Sequence, residues 1–217
     1  KQSIRREIER LTVLDGGSIS SSEGAMVHES VTEAVFDAWL SERHASADRN
    51  LFPYASNALE RIKEQHPMAV IGAITNGRGN PLEMPSVASY FDFCISGEDE
   101  GVFPKRKPDK GIYQAAMGKY NELLQGDSSA TSFNWIHIGD DLANDVGASA
   151  ACGAKTIWFT MASEDDDGLS VLPSWSTATK EELQRRAAMD DVARELVNAQ
   201  ICSLEELPDA IVEVLCR

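Results

Sequence analysis

An apolar strand that runs straight into Gly139-Asp140-Asp141 constrains the fold of this chain more than any other feature. A third carboxylate, Asp145, follows about one helical turn later. In open α/β sheets, side chains just past the carboxyl end of a strand lie in the crevice where ligands bind. Carboxylates this close together repel one another unless a cation lies among them, and Mg²⁺ meets that demand. The alternative is an ordinary helix N-cap, for which Asp is equally typical.

A second apolar run, residues 69–74, ends in Thr75-Asn76-Gly77. A β-branched run bounded by turn residues predicts a buried parallel strand. The Thr75 hydroxyl, backed by the backbone N–H groups of the Asn76-Gly77 turn, can hold phosphate oxygens. The alternative is a strand-to-loop turn without a ligand.

A lysine, Lys107, directly precedes Pro108-Asp109 and a helix predicted from Lys110 to about Tyr120. Pro108 favours an extended backbone at Lys107, immediately before the helix begins. A lysine held there can neutralise a phosphate or the acid cluster. The alternative is a solvated basic loop.

These motifs follow one another at a regular spacing. Thr75, Lys107 and Asp140 are 32 and 33 residues apart, each close to the length of one βαβ unit, so we expect them at the same edge of one parallel sheet. In this order they resemble the haloacid dehalogenase-like (HAD) hydrolase superfamily, in its helical-cap branch of flavin mononucleotide and small-metabolite phosphatases. The likeness covers roughly residues 50–160 and returns weakly near the C-terminus.

The resemblance implies an α/β fold, with a Rossmann-like parallel-sheet core and a partial α-helical cap. It implies a Mg²⁺-dependent phosphomonoester hydrolase that acts on a small phosphorylated metabolite through an aspartyl-phosphate intermediate. The implied catalytic residues are Thr75, Lys107 and Asp140. Phosphate binding is implied for Thr75, Asn76, Gly77 and Lys107, and Mg²⁺ binding for Asp140, Asp141 and Asp145.

The family's first motif, an apolar strand ending in Asp-x-Asp-x-Thr, supplies the nucleophile and the general acid. The candidate in this chain is Asp15, but Gly17 stands where the second Asp is required, and residues 4–10 before it have helical periodicity. We therefore expect the nucleophile to lie upstream of Lys1 in the complete protein, and the chain as given to be inactive. The alternative is a non-catalytic, HAD-like pseudoenzyme that acts as a binding or scaffold subunit.

Two regions are predicted from the patterns along the chain. Residues 1–50 are interpreted as a partial helical cap, with helices at 4–14 and 31–40 joined by a Gly/Ser-rich loop at 16–24. Residues 51–217 form the HAD-like core, with an acidic and helical insertion at about 162–198 whose two open roles are to cover the sheet edge or to form a surface for a protein partner. Its acidic run, 163–168, lacks the spaced ligands of a calcium loop and is interpreted as solvated. An amphipathic helix is predicted at 180–197, with one face formed by Leu183, Ala187, Val192, Leu196 and Val197.

Composition excludes several classes of function. With 20 basic and 35 acidic residues the net charge is −15, which argues against nucleic-acid binding through a basic face. No apolar run approaches the length of a membrane span. The four cysteines lack metal-ligand spacing, which predicts reduced thiols and an intracellular protein, cytoplasmic or in an organelle if a targeting segment precedes Lys1. We interpret His137, inside the strand before Asp140, as a packed core residue.

Overall fold

The computed structural model describes Arg6 and residues 22–124, 133–160 and 179–217. The chain divides into two compact units, residues 1–50 and residues 51–217. They are described one at a time below. The acidic run at 163–168 and the candidate nucleophile Asp15 lie outside the described residues.

The first unit contains helix α1, Ser22–Arg49, which is 28 residues long. Thr32, Phe36 and His44 are buried on one stripe of this helix, at the four- and eight-residue spacing that a helical face requires. The helix predicted at 31–40 is therefore present, but the prediction of a loop through residue 24 is wrong for residues 22–24. Gly costs about 1 kcal/mol relative to Ala within a helix and Ser costs less, and a long helix can extend over a few such residues. The predicted helix at 4–14 lies outside the described residues except for Arg6, which is helical. The assignment of this unit as a cap stays a prediction.

The described part of the second unit contains five short parallel strands: β1 (Gly72–Thr75), β2 (Phe93–Ser96), β3 (Ile136–Gly139), β4 (Lys155–Phe159) and β5 (Ala199–Ile201). The predicted α/β class is thereby confirmed. The strands form two sheets, β1–β2 and β3–β4–β5, so the expectation of one continuous sheet is wrong for the described residues. Thr75 lies opposite Ser96, and Gly139 lies opposite Trp158, in parallel register.

Helix α2 (Ala55–Gln65) precedes β1. The helices that follow β2 to β5 in turn are α3 (Lys110–Leu123), α4 (Ala148–Ala150), α5 (Lys180–Arg194) and α6 (Leu207–Cys216). Helix α3 begins where predicted, because the Asp109 carboxylate caps it by accepting a 2.7 Å hydrogen bond from the Gly111 N–H. Pro108 therefore precedes the cap rather than starting the helix. Within the described ranges, none of the helices is both long enough and apolar enough to cross a bilayer.

Two apolar clusters fix the positions of these helices. In the first, α2 and α6 pack on β4 and β5 through Ile62, Ile157, Ile201 and Val214. In the second, the fully buried Ile112 and Tyr113 of α3 pack with Ile74 and Ile95 of the β1–β2 sheet. Complete burial of each such aliphatic side chain contributes about 1.5–3 kcal/mol. These contacts position the ends of β1 and β3, where the candidate site residues begin.

A cavity of about 700 Å³ lies between the facing edges of β1 and β3, and we call it the slot. Residues 72–74 of β1 and 136–139 of β3 line it, with apolar side chains of α2 and α6 such as Ile62 and Ile211. In the described parts of the chain, β1 pairs only with β2, and β3 only with β4. Each strand therefore has one edge of backbone N–H and C=O groups without a ladder partner next to the slot. Lys107, Asp140 and Asp145 lie at its polar end.

Candidate active site

Asn76 connects the end of β1 to the Lys107 segment. Its Nδ2 donates a 3.0 Å hydrogen bond to the Lys107 carbonyl, and its Oδ1 accepts a 2.6 Å hydrogen bond from the Lys107 N–H. This two-way bridge fixes the backbone of Lys107 across 31 residues of sequence. Because a side-chain amide offers both a donor and an acceptor, Asn is well suited to this position.

The Lys107 ammonium lies against Asp145. Nζ of Lys107 is 2.7 Å from Oδ1 of Asp145, and the two side chains are only 14% and 7% exposed. The second carboxylate oxygen of Asp145 accepts a 3.2 Å hydrogen bond from the Asp141 N–H. A Cβ at position 139 would overlap the Asp145 side chain, so Gly139 is required for this approach. The end of β1, the Lys107 segment and the turn after β3 thus meet at one point.

Asp145 is held in its charged form. Burial opposes ionisation of Asp145, but the contact with His137 and the Lys107 ammonium outweigh it and lower the pKa of Asp145 to about 2. Nε2 of His137 lies 3.7 Å from Oδ1 of Asp145, and its ring packs edge-on against Tyr113. The core packing expected for His137 is therefore present, and its contact with Asp145 is an additional finding.

Thr75 and Gly77 form a tight turn after β1. The Gly77 N–H donates a 3.3 Å hydrogen bond to the Thr75 hydroxyl, and the Thr75 carbonyl accepts a 2.7 Å hydrogen bond from the Gly97 N–H. The Ser96 hydroxyl donates a 2.7 Å hydrogen bond to the Gly77 carbonyl. The turn is thereby tied to the end of the neighbouring strand β2, with Thr75 half-buried at the edge of the sheet.

The adjacent acids Asp140 and Asp141 have different surroundings. Asp141 caps a π-helical turn, Leu142–Gly147, by accepting a 2.6 Å hydrogen bond from the Asn144 N–H, and it also forms an ion pair with Arg186. The alternative of an N-cap at this position is thus realised by Asp141. The Asp140 side chain is exposed and has no partner among the described residues, while its carbonyl accepts a 3.0 Å hydrogen bond from Trp158 Nε1.

The proposed metal ligands differ in their availability. The described ranges contain no group of three or more His, Cys, Asp or Glu side chains placed to hold a metal ion. Asp145 is paired with Lys107 and Asp141 with Arg186, so the two do not stand ready as ligands. Asp140 does, and one or two carboxylates completed by phosphate and water are the usual protein contribution to a Mg²⁺ site. The residues present therefore fit Mg²⁺ through Asp140.

Sequence reasoning missed the contacts of His137 and Arg186. His137 could have been inferred, because residues two apart on a strand face the same side and Gly139 faces Asp145. Arg186 carried no comparable signal, since it lies 45 residues from Asp141 on a separate helix. The face predicted for α5 is also wrong for Leu183, Val192 and Leu196, which are exposed.

Comparison with known proteins finds a family model that matches part of the chain. Residues 105–196 match the model of a family described as HAD-hydrolase-like. Over 144 residues the chain is 28% identical to the 5-amino-6-(5-phospho-D-ribitylamino)uracil phosphatase YigB of Escherichia coli (strain K12), and the match covers 60% of this chain and 54% of that protein. The chain thus spans about half the length of this curated relative.

A solved structure adds the fold. The 2-haloacid dehalogenase from Pseudomonas syringae pv. Tomato DC3000 matches with a TM-score of 0.56 at 22% identity, over 96% of this chain and 70% of that chain. At this identity the likeness concerns the fold alone. The family match over residues 105–196 and the sequence relative agree with the meeting of the Thr-Asn-Gly, Lys-Pro-Asp and Gly-Asp-Asp segments, and the chain is similar to haloacid dehalogenase-like hydrolases.

Proposed function

We propose that the protein is a Mg²⁺-dependent phosphomonoester hydrolase that acts on a small phosphorylated metabolite. The observation that carries this proposal is the bridged cluster of Asn76, Lys107 and Asp145, which lies beside the exposed carboxylate of Asp140 at one end of the slot. It combines a cation for phosphate oxygens with a carboxylate for a metal ion. Both are required when a phosphoryl group is transferred, because its charge must be offset as it moves.

The chain's own residues take distinct roles in this proposal. The Lys107 ammonium, oriented by Asp145, binds a phosphoryl oxygen, and Asn76 keeps the lysine segment in place. The Thr75 hydroxyl and the Gly77 N–H bind a second oxygen by exchanging their mutual 3.3 Å hydrogen bond for contacts to phosphate. Asp140 holds Mg²⁺, which when bound offsets phosphate charge as a Lewis acid. Asp141 and Asp145 support the site through Arg186 and Lys107 rather than as principal metal ligands.

The slot supports a nucleophile supplied by another strand. The backbone groups on the unpaired facing edges of two parallel strands lack ladder partners, and a third parallel strand between them would provide those partners on both sides. Its carboxyl end would emerge beside Lys107 and Asp140, where a nucleophilic Asp must lie to form an aspartyl-phosphate. We place this strand upstream of Lys1, because the sequence at Asp15 lacks the second Asp.

The substrate class rests on the sequence relative, which is named as a phosphatase of 5-amino-6-(5-phospho-D-ribitylamino)uracil. Function resides in a site rather than in a fold, so the class carried over is a small phosphorylated metabolite rather than that compound. We also propose that the protein is intracellular and that a protein partner binds at residues 162–198. The exposed Leu183 and Val192 of α5 and Leu196 just after it are the apolar groups that such a partner would contact.

The test uses the natural full-length protein with p-nitrophenyl phosphate and a panel of small phosphate esters. Hydrolysis that requires Mg²⁺ and is lost in Asp140→Asn supports the proposal, and Asp191→Asn, at an exposed acid of α5, serves as a matched acid-to-amide control. Asp15→Asn should leave the activity intact if the nucleophile lies upstream. Absence of hydrolysis in a folded protein across the panel, with and without Mg²⁺, would favour the pseudoenzyme alternative.

A further inference from the structure

Helix α5 packs closely against the π-helical turn that follows the candidate metal ligand. Ala193 of α5 is 1% exposed and lies in one apolar cluster with Leu142 and Val146. A Cβ added at Gly147 would lie 3.1 Å from the Ala193 methyl group, so small residues on both sides allow the close approach. The helix therefore presents its side chains within hydrogen-bonding reach of the backbone after Asp140.

Polar side chains of α5 hold two parts of this loop. Arg186 uses one terminal nitrogen for the Asp141 carboxylate, and its Nε lies 3.4 Å from Asp190 Oδ1 on the next turn of the same helix. Asp190 Oδ1 also accepts a 3.0 Å hydrogen bond from the Ala143 N–H. A planar guanidinium can serve two carboxylates in fixed directions, which a lysine ammonium does not reproduce.

A third contact reaches Asp140 itself. Trp158 of β4 donates from Nε1 to the Asp140 carbonyl at 3.0 Å, and the Arg194 guanidinium lies over the Trp158 ring at 5.2 Å. The chain that follows the Asp140 side chain is therefore held at two points, by Trp158 at the Asp140 carbonyl and by Arg186 at the Asp141 carboxylate. Helix α5 supplies Arg186 directly and supports Trp158 through Arg194.

We propose that Arg186 is a positioning residue of the candidate phosphatase site: it fixes the Asp140–Asp141 segment from outside, without touching substrate or metal ion. This inference rests on the proposed function. Arg186 occupies the Asp141 carboxylate, so Asp140 alone is left to face a cation. Partners that orient a metal ligand from behind influence metal affinity or activity by about 10–100-fold when removed.

The experiment compares Arg186→Ala, Arg186→Lys and Arg185→Ala in the natural protein. Arg185 is the matched control, because it is an exposed arginine on the same helix. Steady-state kinetics over a range of Mg²⁺ concentrations gives kcat, KM and the half-saturating Mg²⁺ concentration. Hydrogen–deuterium exchange of the peptide that covers residues 140–145 reports loop order independently of activity.

Arg186→Ala should lower kcat about tenfold and raise the half-saturating Mg²⁺ concentration, with KM changed less than about twofold. Arg186→Lys should recover only part of the loss, because the charge is restored without the fork geometry. Exchange at 140–145 should become faster in Arg186→Ala and stay unchanged in Arg185→Ala.

Two results overturn the proposal. In one, Arg186→Ala lowers the melting temperature while kcat, the Mg²⁺ dependence and exchange at 140–145 match those of Arg185→Ala, which leaves a purely structural helix contact. In the other, Arg186→Ala raises KM with kcat intact, which makes Arg186 a substrate contact. If the unmodified protein hydrolyses no phosphate ester, the proposed function fails and with it the catalytic role of Arg186, whereas the exchange data still decide whether Arg186 orders the loop.

Discussion

Replacing Lys107 by Met should destabilise the folded protein by about 3 kcal/mol, at the lower end of the range for breaking a buried ion pair. The reason is the carboxylate left behind: Asp145 is 7% exposed, and its 2.7 Å partner would be removed while its negative charge stays buried. The lowered pKa of Asp145 gives a similar magnitude for the expected destabilisation. A shift from 3.8 to about 2 corresponds to about 2 kcal/mol of interaction that favours the charged form, of which His137 supplies a part.

The assay is urea unfolding of the natural protein at pH 7, arranged as a double-mutant cycle of Lys107→Met, Asp145→Asn and the double variant. The neutral amide that replaces the Asp145 carboxylate no longer needs a cation. The double variant should therefore lose about 2 kcal/mol less free energy of unfolding than the two single variants lose together. Lys105→Met is the matched control at an exposed lysine and should change stability by less than about 0.5 kcal/mol. Additive effects, or a Lys107→Met cost like that of the control, would refute the buried pair.

Further predictions concern the same loop and use the same preparations. The pKa of Asp145 lies at about 2, below its ordinary 3.8, so its contribution to stability is fully present above that ordinary value and is lost as the pH falls toward 2. Unfolding midpoints measured at intervals from pH 5 downward should show this loss in the unmodified protein and a smaller one in Asp145→Asn. Gly139→Ala should cost about 1–3 kcal/mol, since the new methyl group would overlap Asp145; a thermal melt with an unchanged midpoint would contradict the close approach of the two residues. Asp140→Asn should leave stability within about 0.5 kcal/mol, because the side chain is exposed, while it removes Mg²⁺-dependent hydrolysis.

The class of fold could be inferred from the sequence because each strand carried a local signal. Residues 69–74 and 135–139 are apolar runs that end in turn residues, and the structure has β1 and β3 there. Helix α3 was marked at its start by Asp109, whose capping preference is also local. β2 carried little signal, since its apolar run is limited to residues 93–95, between Asp92 and Ser96, whereas the run that ends in β1 spans residues 69–74.

Neighbour relations between elements were not predictable in the same way. Periodicity says that a strand is buried on both faces but not which strands lie beside it, so the division into two sheets was missed. On α5, apolar spacing favoured a face with Leu183 and Val192, yet the buried contact is made by Ala193 against Gly147. Close helix packing selects small residues and lets charged groups such as Arg186 reach polar partners, and hydrophobicity does not report either effect.

The same holds for the site: the sequence indicated where its motifs lie, but not which of their side chains are paired. The order of Thr75, Lys107 and Asp140 placed the motifs along the chain, and the structure brings the Asn76, Lys107 and Asp145 side chains into one hydrogen-bonded cluster. Which acid has a cation was not encoded in the spacing. It depends on where Lys107 and Arg186 arrive from, namely the loop before α3 and the helix α5.

The charge balance of the cluster explains why three acids can lie so close together. Asp145 is paired with Lys107, Asp141 shares Arg186 with Asp190, and the exposed Asp140 is the one of the three acids that has no basic partner among the described residues. A divalent cation bound by Asp140 alone would keep an excess positive charge for a phosphate dianion to offset. Under the proposed function, an ionised nucleophilic Asp on a strand in the slot brings the second negative charge before substrate arrives. Removing Arg186 leaves the negative charge of Asp141 without its cation, and it also loosens the geometry of the loop. For this reason the comparison of Arg186→Lys with Arg186→Ala, which separates charge from geometry, is the decisive measurement on this loop.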